Sequence, residues 1–185
     1  MDLKRLFSSE HVKGTRLYLD TQRKYEIART IIYFAISFGI FIAGYLTTGT
    51  RKNLLTIVAV LGMLPASKSL VSVIMFCRFK SFREAFMKTD VLMAYDMVFT
   101  SEKKNYQIDH LCVADSCVVC FTLNKDLDEN AFKDHVITYL GAEKIDNVTV
   151  KVFKDKNAYL NRIGGLGKAE AKDRDIMMVL QQIVL

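Results

Sequence analysis

The chain has 185 residues, of which 51% are apolar and 25% are charged, with one proline and nine glycines. This composition excludes disordered, collagen-like and low-complexity chains, and the charged quarter excludes a protein that lies wholly within a bilayer. Residues 1–88 carry 14 basic and 5 acidic side chains, a net +9, whereas residues 89–185 carry 12 and 15, a net −3; the two halves give the overall +6. Basic residues beside apolar runs indicate membrane topology more than a nucleic-acid-binding face.

The first apolar run extends from Thr30 to Thr50, where 21 residues carry no formal charge. As a helix, its most apolar part, Ile31–Leu46, is long enough to cross a hydrocarbon core of about 30 Å. A buried helix of a soluble protein and a cleaved signal peptide are the alternatives. The segment before the run has 29 residues, seven of them Lys or Arg, and is too long for the n-region of an ordinary signal peptide. We therefore predict a first membrane span.

The second apolar run extends from Asn53 to Cys77, after Arg51 and Lys52, and predicts a second span from Leu54 to Cys77. Lys68 lies near the far end of this run, where its ammonium group can snorkel to the headgroups. The alternative, an intramembrane lysine used for transport, has no acidic partner in either run. Residues 30–77 are thus predicted to form a transmembrane helical hairpin.

Positive charge predicts the orientation of this hairpin. Seven basic residues precede the first span and four follow the second, whereas the turn Thr47–Asn53 holds two. The positive-inside rule then places both termini in the cytosol and the turn outside.

Residues 1–29 form a basic arm before the first span, and Asp20 or Thr21 is predicted to cap a helix that continues into it. The expected partner of the arm is a bilayer with anionic headgroups, each nearby cation contributing about 1 kcal/mol. The alternative is a docking surface for a protein or for nucleic acid. No nucleic-acid partner is expected, since no nucleic-acid-binding motif accompanies the charges.

Residues 78–167 are predicted to form a small cytosolic α+β domain with the element order α-β-β-β-α-β-α. The first helix is expected after Cys77, where Phe79, Phe82 and Phe86 have helical spacing. The remaining elements follow from alternation, turn residues and helix caps. In chain order they are strands Ala94–Thr100, Tyr106–Ala114 and Cys117–Leu123, helix Asp128–Gly141, strand Asn147–Phe153 and helix Asp155–Ile163.

The tail, residues 168–185, is predicted to form an amphipathic helix whose apolar side chains share one stripe. Two interpretations remain open for this stripe. It packs on its own domain, or it binds a second copy of the chain or another protein.

The candidate metal and catalytic motifs are incomplete. Cys117-x-x-Cys120 has the spacing of a zinc or redox pair, but residues three apart on a strand point to opposite faces and cannot converge on one metal. The three histidines lack a suitably spaced nucleophile motif, and the glycines at 164–167 follow a helix and are typical of its end. We expect no catalytic residue, no bound metal and no cofactor.

The predicted order α-β-β-β-α-β and the strand that carries Asp109 resemble the core of the restriction-endonuclease-like, or PD-(D/E)XK, nucleases. A two-residue turn at Asp115-Ser116 pairs residue 114 with 117, 111 with 120 and 109 with 122, which puts Asp109, Cys120 and Thr122 on one face. The resemblance implies that Asp109 is a metal-ligating aspartate and that Cys120 and Thr122 stand where the family has an acid and a lysine. A thiol and a hydroxyl supply neither role, so the resemblance implies a catalytically inactive version.

The whole chain also resembles uncharacterised bacterial two-span membrane proteins with a small cytosolic domain, a resemblance that implies no activity. The sequence therefore predicts a non-enzymatic anchor, scaffold or sensor in the cell membrane. The alternatives are a membrane-tethered nuclease-like enzyme and a small oligomeric transporter or channel subunit.

Overall fold

The computed structural model describes residues 13–50, 53–86, 90–101 and 104–185. The chain divides into two compact units. Their described residues are 19–50 and 53–80 in a helical unit, and 13–18, 81–86, 90–101 and 104–185 in a sheet unit. Residues 1–12 of the predicted basic arm lie outside the described residues.

Helix α1, Tyr18–Thr48, has 31 residues, and helix α2, Leu54–Arg78, has 25 residues. Both are long enough and apolar enough to cross a membrane. Helix α1 begins two residues before Asp20, so neither Asp20 nor Thr21 caps it and that prediction is wrong. The reason is Leu17, whose φ of 59° is left-handed and cannot continue a helix, so the helix begins at the next residue. Asn53 caps α2, because its side chain accepts a hydrogen bond from the Thr56 backbone N–H at 2.7 Å.

The two helices meet along a seam of small and hydroxyl-bearing residues. Thr30 Oγ1 lies 2.8 Å from Ser69 Oγ. A Cβ placed on Gly62 would lie 2.7 Å from Ser37 Oγ, and one on Gly44 would lie 2.8 Å from Leu55 Cβ. These contacts recur every seven residues, backward along α1 and forward along α2, which is the repeat of an antiparallel helix pair. The outer faces carry exposed isoleucine and leucine side chains, such as Ile31, Ile36, Ile57 and Leu64.

The sheet unit contains a four-stranded sheet in the order β1-β2-β3-β4. Strands β1 (Leu92–Thr100), β2 (Asn105–Ala114) and β3 (Cys117–Phe121) are antiparallel neighbours, and β4 (Thr149–Phe153) pairs parallel to β3. Helix α3 (Glu129–Ala142) makes the crossover that a parallel pair requires. Helices α4 (Lys156–Gly164) and α5 (Ala171–Gln182) complete the unit, and the predicted α+β class with a helical hairpin is confirmed.

The sheet buries a core on each face. The first core contains side chains of α3 and α5 with one face of the sheet, including Met97, Ile108, Leu111, Cys120 and Phe132. The second core lies on the opposite face of the sheet. It combines Tyr159 of α4 with Cys112 and Phe121 of the sheet and with Phe82 and Phe86, which precede β1.

The helix predicted directly after Cys77 is wrong over the residues that the structure describes there. Helix α2 ends at Arg78, and residues 79–86 are not helical. The backbone N–H groups of Phe82 and Phe86 donate to the side chains of Asp96 and Tyr95 instead of to helical carbonyls. Tertiary hydrogen bonds and burial of the two rings replace the helical bonds.

The outer edge of β1 is covered by both ends of the described chain. The Tyr95 N–H donates to the Gly14 carbonyl at 2.8 Å, and the Leu185 N–H donates to the Val98 carbonyl at 3.0 Å. Lys13 Nζ donates to the Val184 carbonyl at 2.6 Å. Gly14 has a φ of 79°, and a Cβ there would lie 3.1 Å from the Ala94 Cβ, so both the backbone and the space require glycine. Coverage of this kind satisfies an edge that would otherwise pair with another chain.

Helix α5 turns its apolar stripe into the first core. Ile176 and Leu180 are fully buried there, and Met177 and Val184 nearly so. The stripe that the sequence left open to a partner is therefore used within the unit.

Candidate functional site

The regular alternation of β1 and β2 breaks at two facing aspartates. Ala94 and Met97 of β1, three residues apart, both lie in the first core, as do Ile108 and Leu111 of β2. The break falls at Asp96, whose φ of 53° places one left-handed residue within a strand. The register on both sides sets Asp96 opposite Asp109, and both residues are buried.

This break turns extra polar groups toward the second core. Asp96 accepts a hydrogen bond from the Phe82 N–H at 2.7 Å, so it lies on the second face together with its neighbour Tyr95. Directly opposed residues of an antiparallel pair share a face, and Asp109 therefore follows Asp96 to that side. His110 lies on the same side, because its ring contacts Tyr159 of the second core.

The centre of the site is a buried polar cluster formed by His110, Tyr159 and Cys112. His110 Nδ1 forms a short hydrogen bond with the Tyr159 hydroxyl, which lies 3.5 Å from Cys112 Sγ. Cys112 Sγ is also 3.8 Å from His110 Nδ1. All three side chains are fully buried. His110 Nε2 has no hydrogen-bond partner in the described part of the chain, and such a buried polar atom costs about 1–3 kcal/mol.

A short segment without regular secondary structure, Ser81–Phe86, covers this polar cluster; we call it the strap. The Phe86 ring centroid lies 5.1 Å from that of His110 and 5.7 Å from that of Tyr159. The Tyr95 hydroxyl donates to the Phe86 carbonyl at 2.7 Å and accepts from the Phe86 N–H at 3.2 Å. The strap is thus fixed at two points by consecutive β1 residues, Tyr95 and Asp96.

Charged side chains hold the outer surface of the strap. Lys156 Nζ forms an ion pair with Glu84 at 2.6 Å and lies 5.8 Å from the centroid of the Phe86 ring. Arg16 donates a short hydrogen bond to the Arg83 carbonyl. Both sides of the Lys156–Glu84 pair are at least half exposed, so the pair adds little stability.

Burial shifts the proton equilibria of the polar cluster. It lowers the pKa of His110 to about 4, so the imidazole is neutral near pH 7. Burial, followed by the neighbouring Cys112 thiol, raises the pKa of the Tyr159 hydroxyl. Each group is held in its neutral form, because a buried charge there would lack water and a counter-ion.

Asp109 is the residue that the resemblance to nucleases singled out. One carboxylate oxygen accepts from the Leu123 N–H at 2.6 Å, and the other accepts from Gln107 Nε2 at 3.1 Å. Burial raises the pKa of Asp109, against the lowering effect of these two hydrogen bonds. Its described partners are therefore groups of its own sheet.

The predicted hairpin register is confirmed, since Ala114 pairs with Cys117 and Leu111 with Cys120. The prediction that Asp109 and Cys120 share one face of the sheet is not confirmed. Cys120 belongs to the first core, whereas the break in alternation moves Asp109 to the other side. Burial raises the pKa of the Cys120 thiol well above its usual range, with smaller contributions from Cys112 and Cys117.

The two cysteines of the Cys117-x-x-Cys120 motif lie on opposite faces, as predicted, because Cys117 belongs to the second core and Cys120 to the first. The described residues contain no cluster of three or more His, Cys, Asp or Glu side chains suited to a metal ion. None of the four cysteines forms a disulfide.

The span-boundary residues Ile31, Leu46 and Leu54 are 63%, 76% and 75% exposed, and Cys77 is also exposed near the end of α2. None of them contributes to the polar cluster. Sequence reasoning missed Tyr159 and the role of His110. The available signal was a histidine beside an aspartate within a strand that is otherwise buried.

No family model matches the chain, and no curated protein or solved structure is significantly similar to it.

Proposed function

We propose that the chain is an integral membrane protein in which α1 and α2 span the bilayer as a hairpin and the sheet unit serves as a non-enzymatic scaffold or sensor in the cytosol. The observation that supports the membrane-spanning hairpin is the distribution of side chains on the helix pair. Three of its hydroxyl-bearing residues, Thr30, Ser37 and Ser69, are buried at the seam, whereas most of its isoleucines and leucines are exposed. This inverts the pattern of a soluble helix pair and matches a lipid-facing surface.

The same seam favours an anchor over a transporter or channel subunit. The Thr30 and Ser69 hydroxyls hydrogen-bond each other, and Ser37 contacts Gly62. These polar groups are used between the two helices of one hairpin, whereas a pore would need polar groups turned toward a water-filled path.

The polar cluster supports a non-enzymatic role for the sheet unit. His110 and Tyr159 are neutral, hydrogen-bonded to each other and covered by the strap. A general acid or base has to reach its substrate within hydrogen-bond distance. A degenerate nuclease-like core is part of this proposal, with Asp109 as a structural carboxylate.

The basic arm is proposed to contact anionic headgroups. Lys24 is exposed on α1, whereas Arg23 and Arg29 form ion pairs with Asp20 and Glu26 on the same helix. Lys24 is therefore the described cation of this segment best suited to a headgroup phosphate. A partner for α5 is not part of the proposal, since its apolar stripe is buried.

The experiment is a topology test in bacterial cells. The chain should remain in the membrane fraction after carbonate washing, because two spans hold it there. Reporter fusions at Leu185 should give the cytosolic signal, and fusions inserted after Gly49 should give the external signal. An external signal at Leu185 contradicts the orientation, and release by carbonate contradicts the membrane span itself.

A further inference from the structure

We propose that the strap is a releasable cover: it opens over the polar cluster as a local unit, separately from unfolding of the sheet unit, and a pull from α2 opens it. The second half of the proposal rests on the proposed membrane function, because α2 transmits force only if it is held in a bilayer.

The strap is held by side-chain contacts and single hydrogen bonds, outside the strand ladder. It has no regular secondary structure. Its buried anchors are the Phe82 and Phe86 rings and the hydrogen bonds to Asp96 and Tyr95. Segments outside the regular strands and helices open at lower free energy than the strands beneath them.

The surface beneath the strap favours local opening. Opening would let water reach His110 Nε2, which has no hydrogen-bond partner among the described residues. A purely apolar floor would gain nothing from that water, whereas a buried polar atom recovers its lost hydration. The strap therefore covers a part of the second core where hydration offsets part of the opening cost.

The position of the strap in the chain connects it to α2. Helix α2 ends at Arg78, and only Phe79 and Lys80 separate it from the strap. A displacement of the α2 end is transmitted through these two residues, because a fully extended chain reaches about 3.3–3.6 Å per residue. The hydrogen bond from Arg16 to the Arg83 carbonyl holds the middle of the strap to the sheet unit.

The chain carries its own pair of reporters for this opening. Cys112 lies in the second core, in the same cluster as Phe82 and Phe86, and Cys120 lies in the first core on the opposite face. Both thiols are fully buried. Strap opening exposes Cys112 and leaves Cys120 buried, whereas unfolding of the sheet unit exposes both.

The experiment measures maleimide labelling of the full-length chain at each cysteine by peptide mass spectrometry, first in detergent. We expect Phe86→Ala to raise the rate at Cys112 by about tenfold or more and to leave the rate at Cys120 nearly unchanged. Tyr95→Phe, which removes the hydroxyl that holds Phe86, should raise it by a smaller factor. The matched control Phe132→Ala, in the first core, should change both rates by the same factor. Equal changes at Cys112 and Cys120 in the strap variants overturn local opening.

The second arm uses the chain in vesicles of phosphatidylcholine and phosphatidylglycerol. Hypo-osmotic swelling should raise labelling of Cys112 and not of Cys120, and a six-residue Gly/Ser insertion after Lys80 should abolish this response. Labelling that ignores swelling overturns the link to α2. Loss of the chain from floated vesicles instead contradicts the proposed membrane function, and the detergent arm then still decides whether the strap opens locally.

Discussion

His110 is the residue whose burial has the clearest consequence for stability. Its pKa falls from 6.5 to about 4 on folding, so between these pH values the unfolded chain binds a proton that the folded chain does not. The stabilising contribution of the neutral imidazole is complete above pH 6.5 and is lost as the pH falls to 4. The shift corresponds to about 3 kcal/mol.

We therefore expect the unfolding free energy of the sheet unit to fall between pH 6.5 and 4, and His110→Gln to remove most of this slope. Urea unfolding of the full chain in detergent, monitored by circular dichroism at several pH values between 6.5 and 4, measures this change in unfolding free energy. His135 has a pKa lowered by burial in the same direction, so His135→Gln is the matched control and should retain most of the slope. The raised pKa of Asp109 acts in the opposite sense in every variant. Equal slopes in wild type and His110→Gln would contradict the role of His110.

The β2–β3 turn offers a second prediction for a single residue. Asp115 and Ser116 both have a φ of 53°, the two-residue geometry that favours glycine at its second position. The Ser116 N–H donates to Asp173 at 2.9 Å, and a glycine keeps this backbone bond. We expect Ser116→Gly to raise the unfolding free energy by about 0.5–1 kcal/mol.

The control for this change is the adjacent Asp115→Gly. Asp115 has the same left-handed φ, but its carboxylate accepts a hydrogen bond from the Gly167 N–H at 2.7 Å. Glycine at this position relieves the strain of the left-handed backbone but removes the hydrogen bond to Gly167. We therefore expect no net gain in unfolding free energy. Urea midpoints of the two variants, compared with wild type, test the pair; a larger gain for Asp115→Gly would contradict the argument.

At the scale of elements, the helix seam predicts which glycine is indispensable. A side chain at Gly62 meets Ser37, whereas a Cβ at Gly39 meets no atom within 4 Å. Gly62→Ile should force the helices apart, and Gly39→Ile should leave them paired. In a Cys77→Ser background, disulfide formation between cysteines placed at Thr30 and Ser69 reports the distance.

We expect Gly62→Ile to slow that cross-link by about fivefold or more, because the seam depends on close approach of small residues. Gly39→Ile changes the same residue type on the exposed side of the pair and should react at the wild-type rate. Equal cross-linking in the two variants would show that the seam is not what joins α1 and α2.

The elements show how far local sequence patterns extend. Strand β4 and helix α3 were predictable because period-2 alternation and an Asp128 cap are local signals. The strap was not predictable, since Phe79, Phe82 and Phe86 have helical spacing, while the backbone N–H groups of Phe82 and Phe86 bond to side chains of β1. The facing of Asp109 was missed for a related reason. The left-handed residue Asp96 lies on the neighbouring strand β1, and the alternation of side chains is broken there in both β1 and β2.

For the whole molecule, the two halves of the chain follow different rules of burial. The helical unit exposes most of its isoleucine and leucine and buries the hydroxyl groups of Thr30, Ser37 and Ser69 at its seam, whereas the sheet unit buries apolar cores on both faces of one sheet. Hydropathy was enough to predict the two long apolar helices of the first from sequence. The polar cluster of the second arises from contacts between β2, α4 and the strap, which no local window contains.

The last prediction concerns whether the whole chain is an enzyme. The carboxylate of Asp109 accepts from Leu123 and Gln107, and although Asp96 lies opposite it, the described residues contain no group of three or more His, Cys, Asp or Glu side chains that could hold a divalent metal. Residues 89–185 carry a net −3, which opposes the neutralisation of several phosphates on which duplex affinity depends. We expect the purified chain to cleave neither plasmid nor single-stranded DNA or RNA with Mg²⁺ or Mn²⁺. Asp109→Ala is the control, and cleavage by the parent chain that disappears in this variant would establish the nuclease-like enzyme in place of the scaffold.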